Sequence, residues 1–212
     1  MTYVALDVGN VLVHVDFQTF IRALSKQLNI SLEDAEYFMN RTHSLHDMGL
    51  TKMSDELRDH FKIHSPVIME ELLKSWNAVI TANHSMVSKM VDLMNDKELK
   101  VALLSNVGLE HAVKMSQILS FDDFFNRCTH HLSCQVGARK PSKLYYQSFL
   151  LQHPEFHGCA YLDDLQENID MAATFGFRAQ RFSLQEHVPL DRYLHRIERF
   201  ILENDDNNSR WH

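Results

Sequence analysis

Three aspartates, a serine and a lysine stand where they could do chemistry together. "ALDVGNVLV" (5–13) brings Asp7 to the end of an apolar run, "ALLSNVG" (102–108) brings Ser105 and Asn106 to the end of another, and "AYLDDLQENIDM" (160–171) brings Asp163 and Asp164 to the end of a third. "GARKPSKLYY" (137–146) places Lys140 before a proline and a new helical pattern. Asp7 and Asp164 offer the hard oxygen ligands that suit Mg²⁺, and carboxylates sharing one crevice repel each other without a cation. The Ser105 hydroxyl suits a phosphate oxygen, and the Lys140 ammonium can neutralise both a phosphate and a carboxylate. A cation, a lysine, a hydroxyl and an aspartate nucleophile suit phosphoryl transfer through an aspartyl-phosphate. Each piece alone has a plainer reading, since Asp, Ser and Asn at a strand end are common caps. Order, strand context and joint chemistry favour the functional one.

These residues need elements that deliver them to one place. Residues 2–8, 100–106, 158–164 and 177–183 read as strands, and all but the last are nearly continuous apolar runs. That pattern belongs to strands covered on both faces, as in a parallel sheet. Helical spacing follows at 142–152, entered by Ser142, at 165–176, closed by Gly176, and at 187–204, with Leu190, Leu194, Ile197 and Ile201 on one stripe. Alternating strands and helices predict an α/β fold with a doubly wound, mostly parallel, Rossmann-like sheet. In such sheets ligands bind at the carboxyl ends of the strands, where the residues above converge.

Between Asp16 and His84 only helical patterns are expected, one capped by Ser31 with Asp34 three residues on and another entered by Pro66. About 70 residues is far more than a crossover needs. The expected division is a core of 1–15 and 85–204, an inserted all-helical cap of 16–84, and a polar, frayed tail of 205–212.

The 212 residues suit one full-size domain or a domain with a smaller insert. Hydrophobic residues at 45% and charged residues at 23% are ordinary for a soluble protein with a core. A net charge of −7 argues against nucleic acid as the main partner but not against a small anion. No apolar stretch approaches the ~18 residues of a membrane span, and no signal-peptide pattern is seen. Cys128, Cys134 and Cys159 form no CxxC pair and read as free thiols in a reducing compartment, so the cytoplasm is the expected location. Monomer and homodimer are both left open.

The chain resembles the haloacid dehalogenase-like hydrolase superfamily, in the phosphatase branch with a helical cap after the first strand. The carriers are "ALDVGNVLV", "ALLSNVG", "VGARKPSKLYY" and "AYLDDLQENIDMAATFGF", in that order. "DVGNVLV", "LSN" and "RKP" are closest to small bacterial phosphatases acting on sugar phosphates. The resemblance implies Asp7 as nucleophile and Mg²⁺ ligand, the Gly9 carbonyl as a further ligand, Ser105 with the Asn106 backbone on the phosphoryl group, and Lys140 orienting Asp7. It also implies Asp164 on Mg²⁺, Asp163 supporting it directly or through water, and Asn168 bracing that loop. The superfamily's usual phosphatase pattern has a second aspartate, the acid/base, where this chain has Gly9. His14 and Asp16 are the candidate substitutes, His14 having the better intrinsic pKa for the task. In the cap, "HSLHDMGLTKMSDEL" (43–57), with His43, His46, Asp47 and Gly49, is the stretch that could face the site. The expectation is a Mg²⁺-dependent phosphatase acting on a small phosphomonoester. Its rivals are a metal-independent dehalogenase and a binding protein on a retained hydrolase scaffold.

Overall fold

The computed structural model describes residues 1–183 and 189–203. Its strands are β1 (Tyr3–Leu6), β2 (Val13–Val15), β3 (Ile80–Ala82), β4 (Lys100–Ser105), β5 (Thr129–Leu132), β6 (Ala160–Asp163) and β7 (Arg178–Arg181). The α-helices are α1 (Phe17–Leu28), α2 (Leu32–Asp47), α3 (Met53–Phe61), α4 (Pro66–Asn77), α5 (His84–Asp96), α6 (Leu109–Ile118), α7 (Phe124–Arg127), α8 (Ser133–Val136), α9 (Lys143–Gln152), α10 (Gln166–Thr174) and α11 (Leu190–Leu202).

Five strands form one sheet in the order β5–β4–β1–β6–β7, and every pairing is parallel. The chain winds outward from β1 on both sides, so the direction of winding reverses at β1 and opens a crevice at the carboxyl ends. Register brings the ends level, because Leu6 pairs with Leu103 on one side and Leu162 on the other. Side chains alternate between two covered faces. Val4, Leu6, Val101, Leu103 and Leu162 join one apolar cluster; Ala5, Ala102, Leu104 and Tyr161 join the other with Tyr145, Tyr146 and Phe149 of α9. Burial on both faces is why these runs lack alternation in the sequence.

Two features differ from the sequence reading. A strand, β3, lies inside the stretch expected to be wholly helical, and it pairs antiparallel with β2. Bonds from the Asp16 amide to the Val79 carbonyl and from the Asn83 amide to the Leu12 carbonyl, both 2.9 Å, extend this ribbon. It fastens the chain where α1 to α4 begin and end. Three residues per strand are too few to show a period. The second is β5, whose sequence Thr-His-His-Leu carries almost no apolar signal and sits at the sheet edge.

Helix starts follow the expected chemistry. Ser31 Oγ accepts from the Asp34 amide at 3.0 Å and donates to the Asp34 carboxylate at 2.6 Å, and Ser65 caps α4 ahead of Pro66. Gly176, at φ +86°, follows α10. Ser142 stands at the start of α9 but makes no side-chain cap bond. In α11 Tyr193, Ile197 and Ile201 are buried; positions 187, 188 and 204 of the expected helix and the tail 205–212 lie outside the described residues. Helix α1 packs on α2 and α4, and α3 on α4. Among the described residues no helix is long and apolar enough to cross a membrane.

Candidate active site

Asp7 follows the last residue of β1, and its amide donates to the Leu162 carbonyl at 2.8 Å. The backbone then folds tightly, with the Val8 carbonyl accepting from the amides of Leu12 and Val13 at 2.9 and 3.0 Å and Asn10 at φ +52°. The Asn10 side chain accepts from the Val15 amide and donates to Asp164 Oδ2 at 3.0 Å, which ties this loop to the end of β6. A Cβ added at Gly9 would meet Val15 Cγ2 at 3.5 Å and Asp7 Oδ2 at 3.9 Å, both ordinary contacts. Space alone does not force glycine at this position.

Lys140 is 2% exposed, and its Nζ lies 2.8 Å from Asp7 Oδ1 and 2.7 Å from Asp163 Oδ2. The Lys140–Pro141 peptide is cis. Asp163, fully buried, has both oxygens engaged. Oδ2 accepts from Lys140 and the Tyr161 hydroxyl, and Oδ1 accepts from the Leu165 amide and Asn168 Nδ2, each at 2.9 Å. This array needs no metal to satisfy Asp163 and orients it toward Lys140. Asn106 uses its side chain on the Lys140 backbone, as acceptor from the amide at 2.7 Å and donor to the carbonyl at 2.9 Å.

The electrostatics are unbalanced. Burial would lower the pKa of Lys140, but Asp163 and Asp7 outweigh it and hold the ammonium charged, well above its ordinary value. Asp7 is pushed up to about 7, first by burial and then by Asp163 and Asp164, with Lys140 opposing. Asp164 is also raised, first by burial, against its bond from Asn10. Three carboxylates against one ammonium leave a local excess of negative charge. One oxygen from each of Asp7, Asp163 and Asp164 falls within 4.8 Å of the others. Hard oxygen donors with uncompensated charge fit a divalent cation such as Mg²⁺.

A cavity of about 230 Å³ opens over these groups. Asp7, Ser105, Lys140 and Asp164 line its floor with Gly9, Asn106 and Asn168; Phe17 of α1, His43 and Asp47 of α2 and Trp76 of α4 line it too. The geometry thus brings together nearly the whole set expected at the strand ends. It does not bring in His14 or Asp16. On β2, Val13 and Val15 line the cavity, so the intervening His14 points the other way and is exposed. Asp16 is exposed and caps α1, accepting from the Thr19 hydroxyl at 2.6 Å; that bond, first among the causes, holds its pKa low. Neither is placed to replace a side chain at Gly9.

In the 43–57 stretch the residues divide. Asp47 Oδ2 lies 3.2 Å from Arg139 Nη2, Asp47 Oδ1 lies 3.7 Å from His43 Nε2, and the Asp47 carbonyl accepts from Ser133 Oγ at 2.5 Å. His46 instead is buried against Glu110 at 2.9 Å, and Glu110 accepts the Met53 amide at the start of α3. Gly49 packs on the Cys134 backbone, where a Cβ would lie 2.6 Å from the carbonyl oxygen. Asn10 and Arg139 were missed by sequence reasoning, although each adjoins a residue or motif it singled out.

No family model matches the chain. Solved structures do. A HAD family enzyme from Bacteroides thetaiotaomicron superposes with a TM-score of 0.75 at 17% identity, covering 88% of this chain and 96% of that one. The same protein in complex with magnesium and inorganic phosphate gives 0.73 at 17% identity over the same shares. A HAD-like family hydrolase from Porphyromonas gingivalis gives 0.71 at 18% identity over 92% and 98%, and a HAD phosphatase from Thermococcus onnurineus gives 0.61 at 15% over 94% and 97%. This chain has the haloacid dehalogenase-like fold.

Proposed function

We propose that the protein is a Mg²⁺-dependent phosphatase that hydrolyses a small phosphomonoester, such as a sugar phosphate, through an aspartyl-phosphate on Asp7. The observation that carries this reading is the buried Asp7–Lys140–Asp163 array beside Asp164, at the carboxyl ends of β1 and β6 and open to one cavity. The solved complex of the Bacteroides enzyme with magnesium and phosphate supports it by fold.

Asp7 attacks phosphorus in line and water then cleaves the acyl phosphate. Lys140 holds Asp7 by one oxygen and leaves the other for attack, while its charge stabilises the transferring group. Ser105, which is buried and lines the floor, binds a phosphoryl oxygen. Asp163 holds Lys140. Asp7, the Gly9 carbonyl and Asp164 would hold Mg²⁺, with Asp163 behind them, and the ion supplies charge neutralisation and orientation of the phosphoryl oxygens. Residues 16–84 act as a cap that walls the cavity and excludes water from it. A cavity this size admits a small leaving group, and Val13, Val15, Phe17 and Ile80 give it an apolar wall.

The test is a panel of phosphomonoesters with Mg²⁺ or with chelator, with Asp7→Asn as the blank. Turnover that needs both Mg²⁺ and Asp7 is expected. Undiminished turnover in chelator would overturn the metal-dependent reading. Mg²⁺-induced thermal stabilisation with no turnover of any ester would favour a binding protein on this scaffold.

A further inference from the structure

The proposed chemistry leaves one role without a residue. Expelling an alkoxide from a phosphomonoester calls for a proton at the leaving oxygen, and Gly9 has no side chain to give one. Apart from Asp7, Lys140 and Asp164, four ionisable side chains line the cavity among the described residues: His43, Asp47, His111 and Arg139. Arg139 is engaged through Nη2, which lies 3.2 Å from Asp47 Oδ2. Asp47 is buried and engaged as an ion pair with Arg139. His111 is buried flat against the Trp76 ring, centroids 4.1 Å apart, and its Nε2 donates to the Trp76 carbonyl at 2.9 Å. Both are structural in their contacts.

His43 differs. Its side chain is 37% exposed, so a ligand in the cavity can reach it. Phe17 meets the ring edge-on at 5.1 Å, and Asp47 Oδ1 faces Nε2 at 3.7 Å. At 3.7 Å this is a charge contact and not a hydrogen bond, and neither ring nitrogen has a hydrogen-bond partner among the described residues. Arg139, on the loop that bears Lys140, in turn pairs with Asp47 at 3.2 Å and so places that carboxylate beside the ring.

We propose that His43 is a catalytic residue, the proton donor to the leaving oxygen and then the base that activates water. In the first step an Asp7 oxygen bonds to phosphorus, the bond to the leaving oxygen breaks with its electron pair, and the imidazolium proton goes to that oxygen. In the second, neutral His43 takes a proton from water as the water oxygen bonds to phosphorus and the Asp7–phosphorus bond breaks, which restores both groups. Burial lowers the basicity of His43, Asp47 raises it, and Arg139 and His46 lower it. The net direction is downward, which suits a group that must also act as a base.

This inference rests on the phosphatase reading, and one experiment separates the two. Wild type and His43→Gln are assayed with Mg²⁺ on ethyl phosphate, whose leaving group needs a proton, and on para-nitrophenyl phosphate, whose leaving group does not. The expected loss is ~10²–10⁴-fold in kcat/KM on ethyl phosphate and under ~10-fold in kcat/KM on the nitrophenyl ester. The reason is that kcat/KM ends at departure of the leaving group, whereas the water step that needs His43 as base is common to both esters and lowers kcat on both. The wild-type pH profile supplies a readout that needs no variant. The value of kcat/KM on ethyl phosphate should fall as the imidazole deprotonates, in a limb that the nitrophenyl ester lacks. Equal losses in kcat/KM on both esters with an unchanged melting temperature, no loss on either, or identical wild-type pH profiles of kcat/KM would each overturn the role of His43. If wild type turns over neither ester nor any other phosphomonoester, the phosphatase reading itself fails.

Discussion

Asn106 clamps Lys140 by its backbone from both sides, accepting its amide at 2.7 Å and donating to its carbonyl at 2.9 Å. A residue at the end of β4 thereby sets where a lysine 34 positions later enters the site. Asn106→Ala removes both bonds without altering the Lys140, Asp7 or Asp163 side chains themselves. The expected cost is ~1–3 kcal/mol of stability, from two hydrogen bonds, with a fall in kcat larger than any rise in KM. Urea unfolding and steady-state kinetics check it. Unchanged kcat would mean that the two carboxylates alone position the ammonium.

Lys140 itself is a buried charge between two buried carboxylates. Lys140→Met keeps the aliphatic stem but strands Asp7 and Asp163 together. Breaking such an array by removing one partner typically costs ~3–5 kcal/mol. Denaturant unfolding without Mg²⁺ should report that loss, and Mg²⁺ should restore part of it by replacing the missing positive charge. A variant as stable as wild type would show that the carboxylates simply take up protons.

How much of this was legible in the sequence differs from residue to residue. Asp7, Ser105 and Asp164 could be read because an apolar run that stops on a polar residue marks a strand end, and the parallel fold brings those ends together. The β2–β3 ribbon could not, since each strand is three residues long. β5 could not, because its two histidines find partners only in three dimensions, His131 with the Tyr145 carbonyl and His130 with that of Phe125. His14 could not be placed for a related reason: without knowing that 13–15 is extended, its alternation with Val13 and Val15 is invisible. In the 43–57 stretch the sequence marked the right segment, but only the seating of α2 separates His43 and Asp47, at the cavity, from His46, locked to Glu110.

Gly108 is where that seating can be tested. A Cβ there would fall 1.9 Å from His46 Cε1 and 2.2 Å from Nδ1, and the φ of −78° is one any residue adopts. Gly108→Ala is therefore costly through packing alone. It should destabilise by ~1–3 kcal/mol and disturb the His43–Asp47 wall through α2. An unchanged melting temperature would show that the His46 ring is free to move aside.

Acid should destabilise the fold through two buried histidines. Burial, opposed by bonds to backbone carbonyls, pushes His111 and His131 down from 6.5 to about 4. Between those values the unfolded chain binds protons that the folded chain does not. The stability from each is full above pH 6.5 and is lost as pH falls toward about 4, on the order of 3 kcal/mol per histidine. Urea unfolding of wild type and His131→Gln across that window checks this. The variant should lose less stability on acidification, and parallel curves would contradict the assignment.

The central claim is that Asp7 carries the phosphoryl group. Mass spectrometry of acid-quenched enzyme during turnover of para-nitrophenyl phosphate with Mg²⁺ tests it most directly. The account predicts a phosphoryl adduct on the peptide containing Asp7, absent in Asp7→Asn and without Mg²⁺. Sustained turnover by Asp7→Asn, or a phosphoryl adduct on a different residue, would contradict it.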